Sequence, residues 1–247
     1  MSDQKLLGIS IKNQAKSYIL EQIQKYIHKP YAFFHIVSLN PENIMLASED
    51  VEYQFILSKG DIQLIDGIGV ALGCAFLKID VGERISGVDF MEIMLSSLKL
   101  EGLRVLLLGG RPNLANDAAD CYQQKYPKTT VKGIEGFRNI QKPKKTECKD
   151  IIRIITDYKP QVIFAAYGSP EQEKFFSRHR RQLQGIICMG VGGGLDFAAG
   201  KISRAPVLMR KLGFEWLYRL IIQPWRWRRQ VELIRFVFAV CKQKIFS

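Results

Sequence analysis

Nowhere does the sequence hold a run of about 18 apolar residues, so no membrane-spanning helix is predicted. None of its five cysteines, Cys74, Cys121, Cys148, Cys188 and Cys241, stands in a Cys-x-x-Cys pair. Their odd number and wide spacing argue against a disulfide framework and for reduced, mostly structural thiols. Histidine is scarce: His28, His35 and His179 lie far apart, and no Asp-x-Asp pair occurs. No dedicated metal site, and no other cofactor, is expected from such a set. The chain has neither a P-loop nor a G-x-G-x-x-G turn followed by a ribose-binding acid, which disfavours a dinucleotide oxidoreductase. It lacks a long Pro/Gly/Ser linker, a low-complexity tract and an internal repeat. The opening Met1-Ser2-Asp3-Gln4-Lys5 is polar and carries no signal-peptide apolar core, so a cytoplasmic chain is expected.

What is present suffices for a packed core. The chain has 247 residues, 47% of them apolar and 24% charged, as in one large domain or a domain with an appendage. Its net charge of +12 is unevenly placed. From Lys201 onward there are eleven Lys/Arg against two acids, Glu215 and Glu232, so +9 of the total sits in the last fifth of the chain. That concentration points to an anionic partner for this stretch: phosphates, a membrane or nucleic acid.

Five short apolar runs bounded by turn residues read as buried parallel strands: Ala32–Val37, Ile62–Ile65, Val105–Leu108, Val162–Tyr167 and Ile186–Met189. Helical patterns fall between them, at Asn43–Leu57, Val88–Lys99, Leu114–Tyr126 and Lys145–Tyr158. The alternation predicts an α/β fold whose mostly parallel sheet is covered by helices on both faces.

Open sheets of this kind bind ligands beyond the carboxyl ends of their strands. Each predicted strand ends in functional-looking residues. They are Ser38-Leu39-Asn40, Asp66-Gly67-Ile68-Gly69, Gly109-Gly110, Gly168-Ser169-Pro170-Glu171-Gln172-Glu173, and Gly190-Val191-Gly192-Gly193-Gly194 with Asp196. The Gly-rich turns suit a nucleotide diphosphate, because backbone N–H groups attract phosphate and glycine permits close approach; tight strand-to-helix turns would look the same. Asp66 suits a general base or a sugar-hydroxyl acceptor as well as it suits a helix cap. Gln172 is read either as a substrate contact or as part of a routine helix start. Arg84, with Asp89 five residues on, is read as a phosphate clamp or a surface ion pair.

The last stretch is different in kind. Pro206 and Pro224 punctuate it, and Leu212–Ile222 reads as a helix. Beyond Pro224, Trp227, Val231, Ile234, Phe238 and Cys241 recur on one face, with Arg228, Arg235 and Lys242 along its flank. A basic amphipathic helix with Trp and Phe on its apolar side suits a membrane interface. Basic residues mixed with aromatics also suit nucleic acid, but no nucleic-acid motif is present, and nucleic acid is not expected as a partner.

Seven landmarks in order resemble the WecG/TagA/CpsF family of glycosyltransferases, from about Val37 to Gln230. They are Ser-Leu-Asn at 38–40, Asp-Gly-Ile-Gly at 66–69, Glu-Arg-Ile-Ser-Gly-Val-Asp at 83–89, Gly-Ser-Pro-Glu-Gln-Glu at 168–173, Gly-Val-Gly-Gly at 190–193 with Asp196, Arg-Ala-Pro at 204–206, and Gly-Phe-Glu-Trp-Leu-Tyr-Arg-Leu at 213–220 before Pro224. The resemblance implies a Rossmann-like catalytic domain over 1–200 and a basic appendage over 201–247 that docks on the membrane and completes the site. It implies an inverting, metal-independent transfer from a UDP-sugar, of the N-acetylmannosamine type, to an undecaprenyl-diphosphate-linked saccharide in surface-polymer synthesis. The protein would sit peripherally on the inner face of the cell membrane.

The residues implied for catalysis are Asp66 as base, Ser38 where the family usually has Thr, Arg84 and Gln172. Substrate contacts would come from Asn40, Gly67, Gly69, Asp89, Gly109, Gly110, Gly168, Gly190, Gly192, Gly193, Asp196 and Arg204. Arg219, Arg226 and Arg229 would reach the donor diphosphate. Phe214 replaces the family's usual Leu. A different donor hexose such as glucose, a non-catalytic membrane-binding protein and a homo-oligomer all remain open on these residues.

Overall fold

A computed structural model describes residues 4–97 and 102–246, for Ser97, Arg228 and Arg229 the backbone alone. A short antiparallel hairpin, β1 (Lys5–Leu6) and β2 (Ile9–Ser10), leads to α1 (Lys16–His28). Then follow β3 (Phe34–Leu39), α2 (Pro41–Glu49), α3 (Val51–Lys59), β4 (Ile62–Ile65), α4 (Ile68–Phe76) and α5 (Gly87–Ser97). The next part of the chain runs β5 (Arg104–Gly109), α6 (Leu114–Lys125), β6 (Thr130–Ile134), α7 (Lys145–Tyr158), β7 (Val162–Ala166), α8 (Glu171–Arg178), β8 (Ile187–Gly190) and α9 (Gly194–Ala198). The last elements are α10 (Val207–Lys211), α11 (Glu215–Ile222), a 3-10 turn at Pro224–Arg226 and α12 (Trp227–Phe246).

Six strands form one wholly parallel sheet in the order β4-β3-β8-β7-β5-β6. All five expected strands are in it, and the α/β reading holds. Alternate residues of β5 show why both faces are covered. Val105 and Leu107 pack with α1, α5 and α6, while Leu106 and Leu108 pack with α7 and α8. A third cluster joins Val37 and Leu39 of β3 to α2, α3, α4 and the hairpin.

Three differences from the sequence reading have physical causes. The single helix expected over Asn43–Leu57 is two helices, because Asp50 adopts an extended backbone and its carboxylate accepts from Tyr53 N at 3.0 Å, capping α3. Similarly, the helix expected over Leu212–Ile222 begins only at Glu215, after the left-handed turn at Gly213. On α12 the buried residues are Phe236 and Val240, which enter the cluster of Leu6, Ile9 and Val70; Trp227, Val231, Ile234 and Phe238 are exposed. The helix expected at Val88–Lys99 is seen as α5 from Gly87; Lys99 lies outside the described residues. No helix among the described residues is long and apolar enough to cross a membrane.

Candidate active site

The carboxyl ends of β3, β4, β7 and β8 open into one cavity of about 990 Å³. Its other wall is built by α11, the turn after it and α12. The loop beyond β5 is not part of the lining. Gly109 and Gly110 both have φ near +88°, and a Cβ on them would strike the Tyr167 ring and Leu114 respectively, so their role visible here is a tight turn into α6.

Asp66 follows β4 on the cavity floor. Its N–H donates to Leu39 O at 3.0 Å, which ties the end of β4 to the end of β3. It is not a helix cap: Gly67 occupies the cap position of α4, with no side-chain hydrogen bond. The carboxyl keeps some surface in the cavity but is enclosed by protein on its other sides. That burial pushes its pKa up to about 6. The Gly87 N–H and Arg84 pull against the rise, and Glu215 and Asp89 add to it. A carboxylate so placed is largely ionised at neutral pH yet more basic than an ordinary one, as a general base requires.

Ser38 and Asp66 face the same point. A Cβ built on Gly87 would lie 3.4 Å from Ser38 Oγ and 3.5 Å from Asp66 Oδ2. Ser38 is 7% exposed, and its hydroxyl has no hydrogen-bond partner among the described residues. Asn40 lies beside them but also caps α2, accepting from Asn43 N at 2.9 Å. Gly67 and Gly69 line the same wall.

Gln172 lines the cavity but is turned into the protein, 4% exposed. Its Oε1 accepts from the N–H groups of Gly168 at 3.2 Å and Gly192 at 3.1 Å, clamping the loops after β7 and β8 together. Those two amides therefore point at Gln172 and not at a ligand. Gly194 N likewise donates to Val191 O. The Gly-rich loops thus supply shape more than free phosphate-binding donors. Gly190 has no room for a side chain, because a Cβ would run into Gln172 and Glu173.

Positive charge comes from the other wall. Arg219 of α11 donates to Gly193 O at 2.8 Å and stacks over Phe197, with its guanidinium carbon 4.5 Å from the ring centroid. Asp196 stands behind it, 4.0 Å from Arg219 and 3.1 Å from Arg111. Arg226 also lines the cavity, and its Nη1 donates to Gln223 at 3.3 Å. Arg84 lines it too, and donates to Arg210 O at 2.7 Å, joining the loop before α5 to α10. The side chain of Arg229 lies outside the described residues.

Asp89 and Arg204 do not line the cavity. Asp89 accepts from Arg204 at 2.8 Å, Arg210 at 3.3 Å and Ser86 at 2.7 Å, and Arg204 also pairs with Glu215 at 2.6 Å. Burial alone would raise the Asp89 pKa; the Ser86 hydroxyl and Arg204 outweigh it and hold the carboxyl below its usual range. This network fastens α10 and α11 to α5.

Two residues of the site escaped the sequence reading as participants. Glu215 lines the cavity with Asp66 and helps raise its pKa. Glu173 is 1% exposed, with a pKa raised by burial to about 7; its Oε1 accepts from Gln172 at 2.8 Å and Ser169 at 3.3 Å. Among the described residues no three His, Cys, Asp or Glu side chains are grouped as metal ligands.

The fold and cavity define an α/β protein with a largely enclosed carboxylate at the strand ends, opposite cationic side chains. The chain belongs to the Glycosyl transferase WecG/TagA/CpsF family, whose sequence profile matches residues 4–247, and it is a glycosyltransferase. A Staphylococcus aureus (strain NCTC 8325 / PS 47) protein is 29% identical over 240 residues, covering 97% of this chain and 92% of its own. One from Bacillus subtilis (strain 168) is 27% identical over 245 residues, covering 99% and 93%. Both are named N-acetylglucosaminyldiphosphoundecaprenol N-acetyl-beta-D-mannosaminyltransferase.

Proposed function

We propose that this enzyme transfers N-acetylmannosamine from a UDP donor to the N-acetylglucosamine of an undecaprenyl-diphosphate-linked acceptor, with inversion and without a metal. The observation that carries the reading is the pairing of Asp66 and Ser38 on the cavity floor with Arg219 and Arg226 on the facing wall. Asp66 removes the proton of the acceptor hydroxyl. The freed oxygen forms a bond to the anomeric carbon while the bond from that carbon to the diphosphate breaks, and UDP departs with the electron pair. Arg219 and Arg226 offset the charge that grows on the leaving diphosphate. Ser38 orients the acceptor, and Gln172 keeps the loops around it in register. The names of the relatives support the acceptor and the sugar.

In this reading residues 1–200 form the catalytic domain and 201–247 an appendage that completes it. The appendage rests the enzyme on the cytoplasmic face of the membrane. Exposed Trp225, Trp227, Ile234 and Phe238 supply apolar contact, and the net +9 of the segment attracts anionic lipid headgroups.

The test is a screen of UDP-N-acetylmannosamine, UDP-N-acetylglucosamine and UDP-glucose against a short-chain polyprenyl-diphosphate-N-acetylglucosamine, with chelator present. Transfer from the first donor is expected. Preference for UDP-glucose would reassign the donor, and dependence on added metal would overturn the metal-free mechanism.

A further inference from the structure

We propose that the apolar half of the cavity is a groove for the first isoprene units of a polyprenyl chain. The inference rests on the acceptor proposed above and names where its lipid goes. The cavity changes character along its length. Near Asp66 its walls are polar. Further along, α4 presents Gly69, Leu72, Gly73 and Phe76, and α12 presents Leu233 and Val237 opposite. The spacing of the four α4 residues places them on a single helix face.

The groove is narrow and already apolar. The helices approach most closely at the glycines: a Cβ on Gly69 would stand 3.3 Å from Leu233, and one on Gly73 3.1 Å from the Phe236 ring. Leu72, Phe76 and Val237, in contrast, are 62%, 52% and 51% exposed. Apolar surface left uncovered inside a cavity is a place for an apolar ligand.

Continuity decides which ligand. A chain attached to the acceptor's diphosphate must leave the polar end once the sugar sits at Asp66. The slot between α4 and α12 belongs to the same cavity as Asp66 and is continuous with its polar end. Membrane contact would use a different surface, because Trp225, Trp227, Ile234 and Phe238 are exposed but line no part of the cavity.

The experiment is photo-cross-linking of the full chain with a diazirine analogue of farnesyl diphosphate, in solution and without vesicles. Adducts are expected on Leu72, Phe76, Leu233 and Val237, displaced by unlabelled farnesyl diphosphate but not by inorganic diphosphate. Leu72→Asp and Val237→Asp alter exposed positions and should leave the fold intact. Each should cut labelling by about tenfold or more, since the new carboxylate must be desolvated against hydrocarbon. Labelling that needs vesicles, falls on Trp225 and Phe238, or ignores both substitutions overturns the groove. The transferase reading fails separately: specific labelling without sugar transfer in the donor screen would keep the groove and discard the reaction.

Discussion

A carboxylic acid shut away from water titrates late, and Glu173 shows the cost. Its pKa rises from 4.5 to about 7, so the folded state holds a proton that the unfolded chain releases. The stability this confers is complete below pH 4.5 and is lost as pH rises to about 7, a change of roughly 3 kcal/mol. In denaturant unfolding at stepped pH, the stability difference between the wild type and Glu173→Gln should change by that amount between pH 4.5 and about 7; Asp66, and buried His35 with its pKa lowered to about 3, act on both curves alike. Ser38→Ala makes the opposite kind of test. Its hydroxyl has no partner among the described residues, so stability should move by less than about 0.5 kcal/mol while turnover falls. If stability fell and turnover did not, Ser38 would be a packing residue. Ser38 and Asp66 were legible in the sequence because each ends an apolar strand run. Glu173 was not, because an acid in a helix's first turn is commonplace. What buries it is the missing side chain of Gly190, two loops away.

At the scale of elements, the clamp made by Gln172 holds the site's two Gly-rich loops. Gln172→Ala strands the N–H groups of Gly168 and Gly192 beside a buried carboxylic acid. Such a loss costs about 1–3 kcal/mol, and both thermal stability and turnover should drop together. Asn40→Ala removes the cap of α2 and should cost about 1 kcal/mol. The central strands were readable because buried parallel strands are continuous apolar runs. The edge strand β6 was not: Thr130–Ile134 carries Lys132 and Gly133 and is only partly buried. Gly133 is required there because a Cβ would collide with the backbone of α6. On α12, periodicity identified an apolar stripe but not the one that packs. Two stripes exist, and only tertiary contact distinguishes Phe236 and Val240, which bury, from Trp227 and Phe238, which do not.

Across the whole molecule, the C-terminal segment is both wall and anchor. Phe236 and Val240 enter the core, Gln243 accepts from Leu7 N at 2.8 Å, and Arg235 pairs with Glu49 and with Glu232. Phe236→Ala should therefore destabilise the fold by about 3–5 kcal/mol in denaturant titration, whatever it does to activity. Arg204 and Arg210 lock α10 and α11 to α5 through Asp89, and this is what brings Glu215 opposite Asp66. The basicity of Asp66 thus depends on the assembled molecule, with burial as the leading cause and Glu215 among the lesser ones. The most direct test is the pH dependence of kcat/KM for sugar transfer by the wild type and by Asp66→Asn. The wild type should gain activity through a rising limb near pH 6, as Asp66 ionises. The variant should lose the limb and about 10²–10⁴-fold in rate while still binding the donor. A variant that keeps both the limb and the rate would contradict the assignment of Asp66 as the base.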